Sequence, residues 1–181
     1  VYIPHFMSWV VAASIFSMIL SPTSAGLVND ILMKLHLISD NIYFLGDQKW
    51  WRFSYYLINV WKDTGWGTII FMATLAGISP ELYEAASMDG ANRFQKMIYI
   101  TLPALNNTIV TVLVLNLAKV MNLFESVFVL QNDAVIKVSD VLQTYIYTQT
   151  FNSGAIPDYG YTTAVGMFSS IISCILVLVC N

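Results

Sequence analysis

The chain has 181 residues, of which 57% are hydrophobic and only 10% are charged, and its formal net charge is −3. Soluble domains carry about 25% charged residues, so this composition excludes an ordinary soluble fold, and the small negative charge argues against a nucleic-acid-binding protein. We therefore expect an all-α integral membrane protein with several passes, surrounded by lipid.

Four apolar segments are long enough to cross a bilayer, because about 20 helical residues cover roughly 30 Å of hydrocarbon. Backbone groups in lipid must be hydrogen-bonded within their own segment, which predicts helices rather than isolated strands. The sequence predicts one transmembrane domain over 1–181, with spans at about 3–20, 55–78, 101–124 and 162–180.

The first connection, 21–54, ends in aromatic side chains, as is typical of the membrane–water interface. We interpret them as an interfacial belt; they are Trp50, Trp51, Phe53, Tyr55 and Tyr56. In the second span Asp63 follows Lys62, and we expect these two side chains to pair. His5 and His36 have no neighbours at metal-ligand spacing, so we predict no metal site and interpret both as structural.

The second connection, 79–100, carries strong helix signals. Ser79 is a preferred N-cap residue and Pro80 suits the first helical position, while Gly90 can take the left-handed conformation that follows a helix end. A second short helix over about 91–99 is expected to follow at an angle. Together these signals predict a helix–Gly–helix elbow at the membrane surface.

The elbow is either an ordinary well-capped loop or a docking element. Ala85 and Ala86 are small enough for another surface to approach closely, and Glu84 and Asp89 offer charge to a partner's Lys or Arg.

The third span carries a polar stripe, since five side chains fall within an arc of roughly 140° at 100° per residue. They are Thr108, Thr111, Asn116, Lys119 and Asn122. Polar groups in hydrocarbon need partners, so the stripe either faces a water-accessible path or bonds neighbouring helices. Lys62 and Lys119 each lie 16 residues, about 24 Å, from the same edge of their spans, and each either faces that path or extends to the headgroups.

The third connection, 125–161, is acidic apart from Lys137, which indicates a solvated face or a docking site for an external protein. We expect Ser139 to cap a short helix running to about Thr150, which the turn Asn152-Ser153-Gly154 would end.

The spacing in the elbow resembles a known signature. Glu84-Ala85-Ala86, three residues, Gly90, nine residues, Ile100, one residue and Leu102-Pro103 together resemble the full EAA signature of the permease subunits of binding-protein-dependent ABC importers. The resemblance implies a type I ABC importer permease-like helical bundle with four transmembrane helices in this fragment. It also implies that the seven signature residues form a cytoplasmic coupling helix that contacts the ATPase, which places 79–100 inside and the other two connections outside.

The same resemblance implies a transport subunit in a bacterial inner (plasma) membrane, not an enzyme. Its partners would be two ATPase subunits or a homodimer of them, a second related permease, and an extracellular solute-binding protein. The sequence contains no Gly-rich phosphate loop with Gly-Lys-Ser/Thr, so we expect no cofactor in this chain and ATP with Mg²⁺ bound by the partner ATPase.

The flanking segments 3–11, 61–70 and 128–132 resemble the carbohydrate-uptake branch, and within it the lipoprotein/aldouronate-type polysaccharide permeases. An oligosaccharide is therefore the expected substrate, with Lys62 and the polar stripe of the third span on its pathway. Two cations there would favour an acidic, uronate-type sugar. Trp61 and Trp66 either stack on sugar rings or anchor the helix at the interface. Members of that branch have two further spans upstream and a short basic tail, so we expect the chain to be part of a longer polypeptide.

Two alternatives remain. The elbow signature is equally compatible with a permease of this family for amino acids or peptides. An intramembrane enzyme would need paired carboxylates or a His cluster at membrane depth, where only Asp63 is available.

Overall fold

The computed structural model describes residues 2–23, 26–152 and 158–180, and every regular element in these ranges is helical. The chain begins with a 3-10 turn at Ile3–Phe6. The α-helices that follow are α1 (Trp9–Ile19), α2 (Leu27–Lys34), α3 (Gln48–Ala76), α4 (Pro80–Met88), α5 (Arg93–Lys96), α6 (Leu102–Val120), α7 (Glu125–Leu130), α8 (Ile136–Ser139), α9 (Leu142–Phe151) and α10 (Tyr159–Cys180). A π-helical turn at Met97–Thr101 joins α5 to α6.

Three long helices form the frame of the molecule. α3 has 29 residues, and α6 packs against both α3 and α10. In the described part of the chain, two helical stretches are long and apolar enough to cross a membrane, Arg93–Val120 and Tyr159–Val179. None of the apolar window in the first and only 11% of that in the second is buried within the chain, so most of their apolar surface is free to contact lipid or another subunit.

The apolar segment 3–20 is not one continuous helix, which corrects the sequence prediction. Pro4 lies in the 3-10 turn, and the chain is extended at Ser8, whose side-chain oxygen accepts a hydrogen bond from the Val11 N–H. This cap starts α1 afresh at Trp9, so the helix has 11 residues and is about 16 Å long. The 3-10 turn packs against α3.

The second helix of the elbow is not separate from the third span, which is a further correction. α5 continues through the π-helical turn into α6, giving one 28-residue helix from Arg93 to Val120. In the π-helical turn the Leu102 N–H donates to the Met97 carbonyl five residues back. Such a widened turn lets a helix accommodate a residue without an N–H, here Pro103.

Ser139 does not cap the helix that follows it. It is the last residue of α8 and is 2% exposed, and the next helix, α9, begins at Leu142. The hydroxyl of Thr144 accepts the Val141 N–H at 2.9 Å and donates to Asp140, which fixes the N-cap of α9 at Val141, two residues beyond the expected cap. α9 ends at Phe151, close to the expected Thr150, and positions 153–154 of the predicted turn lie outside the described residues.

The aromatic residues expected to form an interfacial belt divide between core and surface. Trp51 and Tyr55 are 3% and 7% exposed and share a face of α3 with the fully buried Ile58, because the spacings of four and three residues bring them to one side. Phe53 and Tyr56, on the other face, are exposed at 59% and 63%. Two of the five belt residues are therefore core residues instead.

This core packs α3 against α7 at one end of the long helices, which we call the core end. The Trp51 indole N–H donates to the Leu130 carbonyl at 3.1 Å, and the Tyr55 and Ser126 hydroxyls lie 2.9 Å apart. The opposite end, where α3 gives way to α4, is called the elbow end.

A buried amide fixes the first long connection at the core end. Asn29 is fully buried, and its side chain donates to the Ser21 and Ile42 carbonyls at 2.8 and 2.9 Å while accepting the Ile42 N–H at 3.0 Å. One side chain thus holds together three points of the segment 21–42.

Candidate functional site

The elbow at the end of α3 has the geometry expected from its sequence. Ser79 and Pro80 begin α4, and Gly90 has a φ of +77°, in the left-handed region where L-residues with a Cβ are disfavoured. The Ala91 N–H donates to the Ala86 carbonyl at 2.9 Å, which closes the turn. Asn92 and Gln95 then form a reciprocal capping box that begins α5. The predicted bend at Gly90 is confirmed.

Two side-chain bonds brace the elbow internally. The Tyr83 and Thr101 hydroxyls lie 2.9 Å apart and tie α4 to the π-helical turn. The Lys96 ammonium donates to the Ser87 hydroxyl at 2.5 Å, which ties α4 to α5. The elbow is therefore a stiff projection from α6 and not a loose loop.

One side of α4 is free for contact. Glu84 and Ala85 are exposed, as are the apolar side chains of Leu82 and Met88 at 55% and 89%. Ala86 is half-buried, so its small side chain is less available for contact than that of Ala85. Ile100, Leu102 and Pro103 lie on the π-helical turn and the first turn of α6, apart from the tip of the elbow.

The polar stripe of α6 divides into two groups. Near the elbow end the Thr108 hydroxyl bonds Thr74 of α3 at 2.8 Å, and Thr111 bonds its own helix at the Asn107 carbonyl. Towards the core end, Asn116, Lys119 and Asn122 line cavities instead. Thr108 thus bonds a neighbouring helix, whereas Asn116, Lys119 and Asn122 face cavities within the chain.

A polar cavity of about 360 Å³ lies between the segment 5–9, α3, the end of α6 and the start of α7. Lys62 and Lys119 both line it, together with Asn59, Asn122 and Ser126. The carboxylates of Asp63 and Glu125 are also on its wall.

Lys62 faces inward, towards this cavity, and does not extend to the headgroups. Its side chain is buried at 5% exposure, its ammonium donates to the His5 carbonyl at 3.2 Å, and it lies 5.1 Å from the centroid of the Trp9 ring. The expected Lys62–Asp63 pair is absent, because consecutive helical residues point about 100° apart. The Asp63 carboxylate instead lies 3.6 Å from Nδ1 of His5.

His5 also lines the cavity, a position that no sequence pattern indicates. Its ring stacks on Trp66 with centroids 5.1 Å apart, and Tyr2 stacks on the same indole at 6.5 Å. The 3-10 turn brings His5 onto α3, a contact that neither spacing nor composition indicates. Trp66 therefore packs within the chain and also lines a second cavity, whereas Trp61 packs edge-on against Phe16.

The second cavity, of about 630 Å³, adjoins the first along α3 and α6. Four residues belong to both walls: His5, Asn59, Asp63 and Lys119. Its remaining wall includes Asn116 and the apolar residues Ile70, Val112 and Leu115. The two cavities form one elongated depression, polar at the core end and more apolar towards the elbow end.

Side-chain hydrogen bonds join α9 to the end of α6 and to α10. The Gln143 amide donates to the Asn122 side chain at 3.1 Å and to the Met121 carbonyl at 3.3 Å, which anchors α9 on the end of α6. The Tyr145 and Tyr161 hydroxyls lie 3.3 Å apart, and this hydrogen bond raises the pKa of Tyr145 above its ordinary value. Among residues 2–23, 26–152 and 158–180, no three His, Cys, Asp or Glu side chains form a group that could hold a metal ion.

Comparison with known proteins gives a consistent result. The family described as "Binding-protein-dependent transport system inner membrane component" matches residues 1–180. Protein LplB of Bacillus subtilis (strain 168) is 41% identical over the whole of this chain, which covers 55% of LplB. The polygalacturonan/rhamnogalacturonan transport system permease protein YteP of the same organism is 40% identical, again over 100% of this chain and 55% of the relative.

A solved structure also matches the whole chain. It is the crystal structure of a bacterial ABC transporter involved in the import of the acidic polysaccharide alginate, with a TM-score of 0.92 and 37% sequence identity. The match covers 100% of this chain and 62% of that one. The present chain thus spans little more than half the length of the proteins it resembles.

Proposed function

Because the chain belongs to the family of binding-protein-dependent transport system inner membrane components, we propose that it forms part of the translocation pathway of an ATP-driven importer for oligosaccharides. One observation carries this proposal. The packed pair α3 and α6 has a polar cavity at one end and a braced, exposed elbow at the other. A force applied to the elbow is therefore transmitted along α6 to a wall of the cavity.

The chemistry of the cavity suits a sugar. Sugar hydroxyls both donate and accept hydrogen bonds, and amide side chains have both functions; Asn59, Asn116 and Asn122 supply them on the walls of the two cavities. The relative YteP is a polygalacturonan/rhamnogalacturonan permease and the alginate transporter imports a polysaccharide, which supports a saccharide over an amino acid or a peptide.

The elbow is proposed to seat in a groove of a separate ATPase subunit on the cytoplasmic side, with Glu84 and Ala85 in the contact. The sequence contains no Gly-Lys-Ser/Thr phosphate loop that would bind ATP in this chain. The exposed apolar faces of α6 and α10 would contact lipid and a second permease. A solute-binding protein would deliver sugar at the core end, which faces outwards from a bacterial inner membrane.

A transport assay tests the function. The full-length protein is reconstituted in vesicles with its companion permease, ATPase and binding protein, and the ATP-driven uptake of labelled oligosaccharides is compared with that of labelled peptides. We expect uptake of oligosaccharides alone. Uptake of peptides alone would overturn the substrate class, and uptake without ATP would overturn the ATP-driven mechanism.

Cross-linking tests the elbow separately. In a background with Cys174→Ser and Cys180→Ser, Ala85→Cys is paired with single cysteines in the ATPase groove. We expect disulfides from Ala85→Cys and none from Lys49→Cys, an exposed position at the opposite end of α3. Equal cross-linking from both positions, or from neither, would show that the elbow does not dock on the ATPase.

A further inference from the structure

We infer that Lys62 and Lys119 bind the carboxylate groups of an acidic oligosaccharide, so that the substrate class of this chain is a uronate-containing sugar. This inference rests on the proposed function, because it assigns the substrate of the same cavity. It adds the chemical class of that substrate and the two side chains that recognise it.

The surroundings of Lys62 carry the argument. The side chain is buried at 5% exposure, and its ammonium has only neutral neighbours, a backbone carbonyl of His5 and the face of Trp9. No carboxylate of the described residues lies within 4.0 Å of this ammonium. A buried charge is costly unless an opposite charge accompanies it, so an anionic ligand would be stabilised beside this ammonium.

A carboxylate has room to enter beside Lys62. Lys62 is on the wall of the 360 Å³ cavity, and ligand pockets usually have about 300–1,000 Å³. A carboxylate that enters can accept hydrogen bonds from the Lys62 ammonium more strongly than a neutral carbonyl does. The buried cation then gains a partner only when ligand is bound.

Lys119 supplies a second cation on the opposite wall of the same cavity. It is exposed, and it also lines the larger cavity that adjoins the first, so it marks the passage between them. Consecutive uronate residues of one chain present a carboxylate on every sugar ring. Two lysines along one elongated depression match a chain of such residues better than they match a single small anion.

The two carboxylates of the cavity do not cancel these cations. Asp63 is directed to Nδ1 of His5, at 3.6 Å, and its side chain is 60% exposed. Glu125 is exposed at the start of α7 and makes no ion pair within 4.0 Å among the described residues. Both lysines are therefore available to a ligand.

A purely structural role for Lys62 would be to pin the segment 5–9 to α3. The two roles differ in what they predict for Lys119, which makes no such tether and tolerates substitution on an exposed surface. The two roles also differ for a ligand without carboxylates. A structural defect would weaken the binding of that ligand as much as the binding of an acidic one, whereas the loss of a carboxylate contact would not.

The experiment measures equilibrium binding of two probes to the complete transporter in detergent, without its binding protein. One probe is labelled trigalacturonate and the other is its carboxyl-reduced derivative, the neutral galactose trisaccharide. We expect Lys119→Met to weaken trigalacturonate binding at least tenfold, Lys119→Arg to weaken it less than about threefold, and Lys49→Met to leave it unchanged. Binding of the neutral probe should be the same in the wild type and in these three variants. Where Lys62→Met keeps the thermal stability of the parent, it should behave as Lys119→Met does.

Three results would overturn the inference. They are unchanged trigalacturonate binding in Lys119→Met, an equal loss for both probes, and a wild-type transporter that binds no trigalacturonate. In the last case, ATP-driven uptake of a neutral oligosaccharide would leave the proposed function standing, whereas the absence of any sugar uptake would remove the proposed function as well.

Discussion

The left-handed turn at Gly90 permits a graded test of the elbow. An added Cβ at this position would meet no atom within 4 Å, so a substitution is penalised by the backbone alone, at φ +77°. A residue with a Cβ in this conformation costs roughly 1–2 kcal/mol, which is a factor of about 5–30 in the ratio of native to non-native turn. Asn tolerates the conformation better than Ala, and β-branched Val tolerates it less. Elbow function should therefore fall in the order Gly, Asn, Ala, Val.

The assay is the reconstituted transporter, with the ATPase rate stimulated by loaded binding protein and the sugar taken up per ATP measured for each variant. Gly166→Ala is the matched control, because its added Cβ also meets nothing within 4 Å while its backbone is helical. We expect Gly90→Ala to lower uptake about fivefold or more, and Gly166→Ala to leave it unchanged. If Gly90→Val transports as well as wild type, the elbow does not need its left-handed turn and the reasoning fails.

Three further predictions concern the bonds that hold the elbow and the core. Tyr83→Phe and Thr101→Val should each weaken the coupling of ATP hydrolysis to uptake by about 0.5–1.5 kcal/mol. The double variant should be no worse than either single variant, because both substitutions remove the same 2.9 Å bond. Additive losses in this double-mutant cycle would contradict a direct link between the two hydroxyls. Asn29→Ala leaves buried backbone groups unsatisfied at about 1–3 kcal/mol each, so the melting temperature of the complex should fall clearly, and an unchanged value would show that water replaces the amide. Trp51→Ala should cost about 3–5 kcal/mol in stability while Trp51→Phe costs less, and equal losses would show that the 3.1 Å indole bond matters more than packing.

The elbow could be predicted from the sequence because its signals are local. A cap residue, a proline at the first helical position and a glycine at a helix end act within one or two turns of chain. In the structure Ser79 occupies the N-cap position without a side-chain capping bond, Pro80 is the first helical residue, and Gly90 takes the left-handed conformation. The continuity of α5 with α6 is not predictable in the same way, because Pro103 is typical of a helix start and no local signal indicates the π-helical turn before it.

The cavity could be predicted only in part. Counting residues along two helices gave the common level of Lys62 and Lys119, since the rise per residue is constant. The contacts of His5 and Trp9 with Lys62 depend on how the 3-10 turn folds back on α3, more than 50 positions away in the sequence. Helical periodicity does not indicate a long-range contact of this kind. The sequence alone therefore favours a pair between Lys62 and its neighbour Asp63, which the structure does not contain.

The distribution of bonds along α6 determines how a displacement of the elbow reaches the cavity. The Thr74–Thr108 bond joins α6 to α3 and is the natural pivot for a tilt of this helix. From Thr108, the helix extends about 22 Å to Arg93 at the elbow and about 16 Å to Lys119 at the cavity. A tilt of about 5° about this point would move the elbow end by about 2 Å and Lys119 by about 1.4 Å in the opposite direction. Lys62 stays with the packed core end of α3, so the same tilt changes the separation of the two lysines across the cavity. Closure of the proposed ATPase partner on the elbow would thus alter the proposed sugar site.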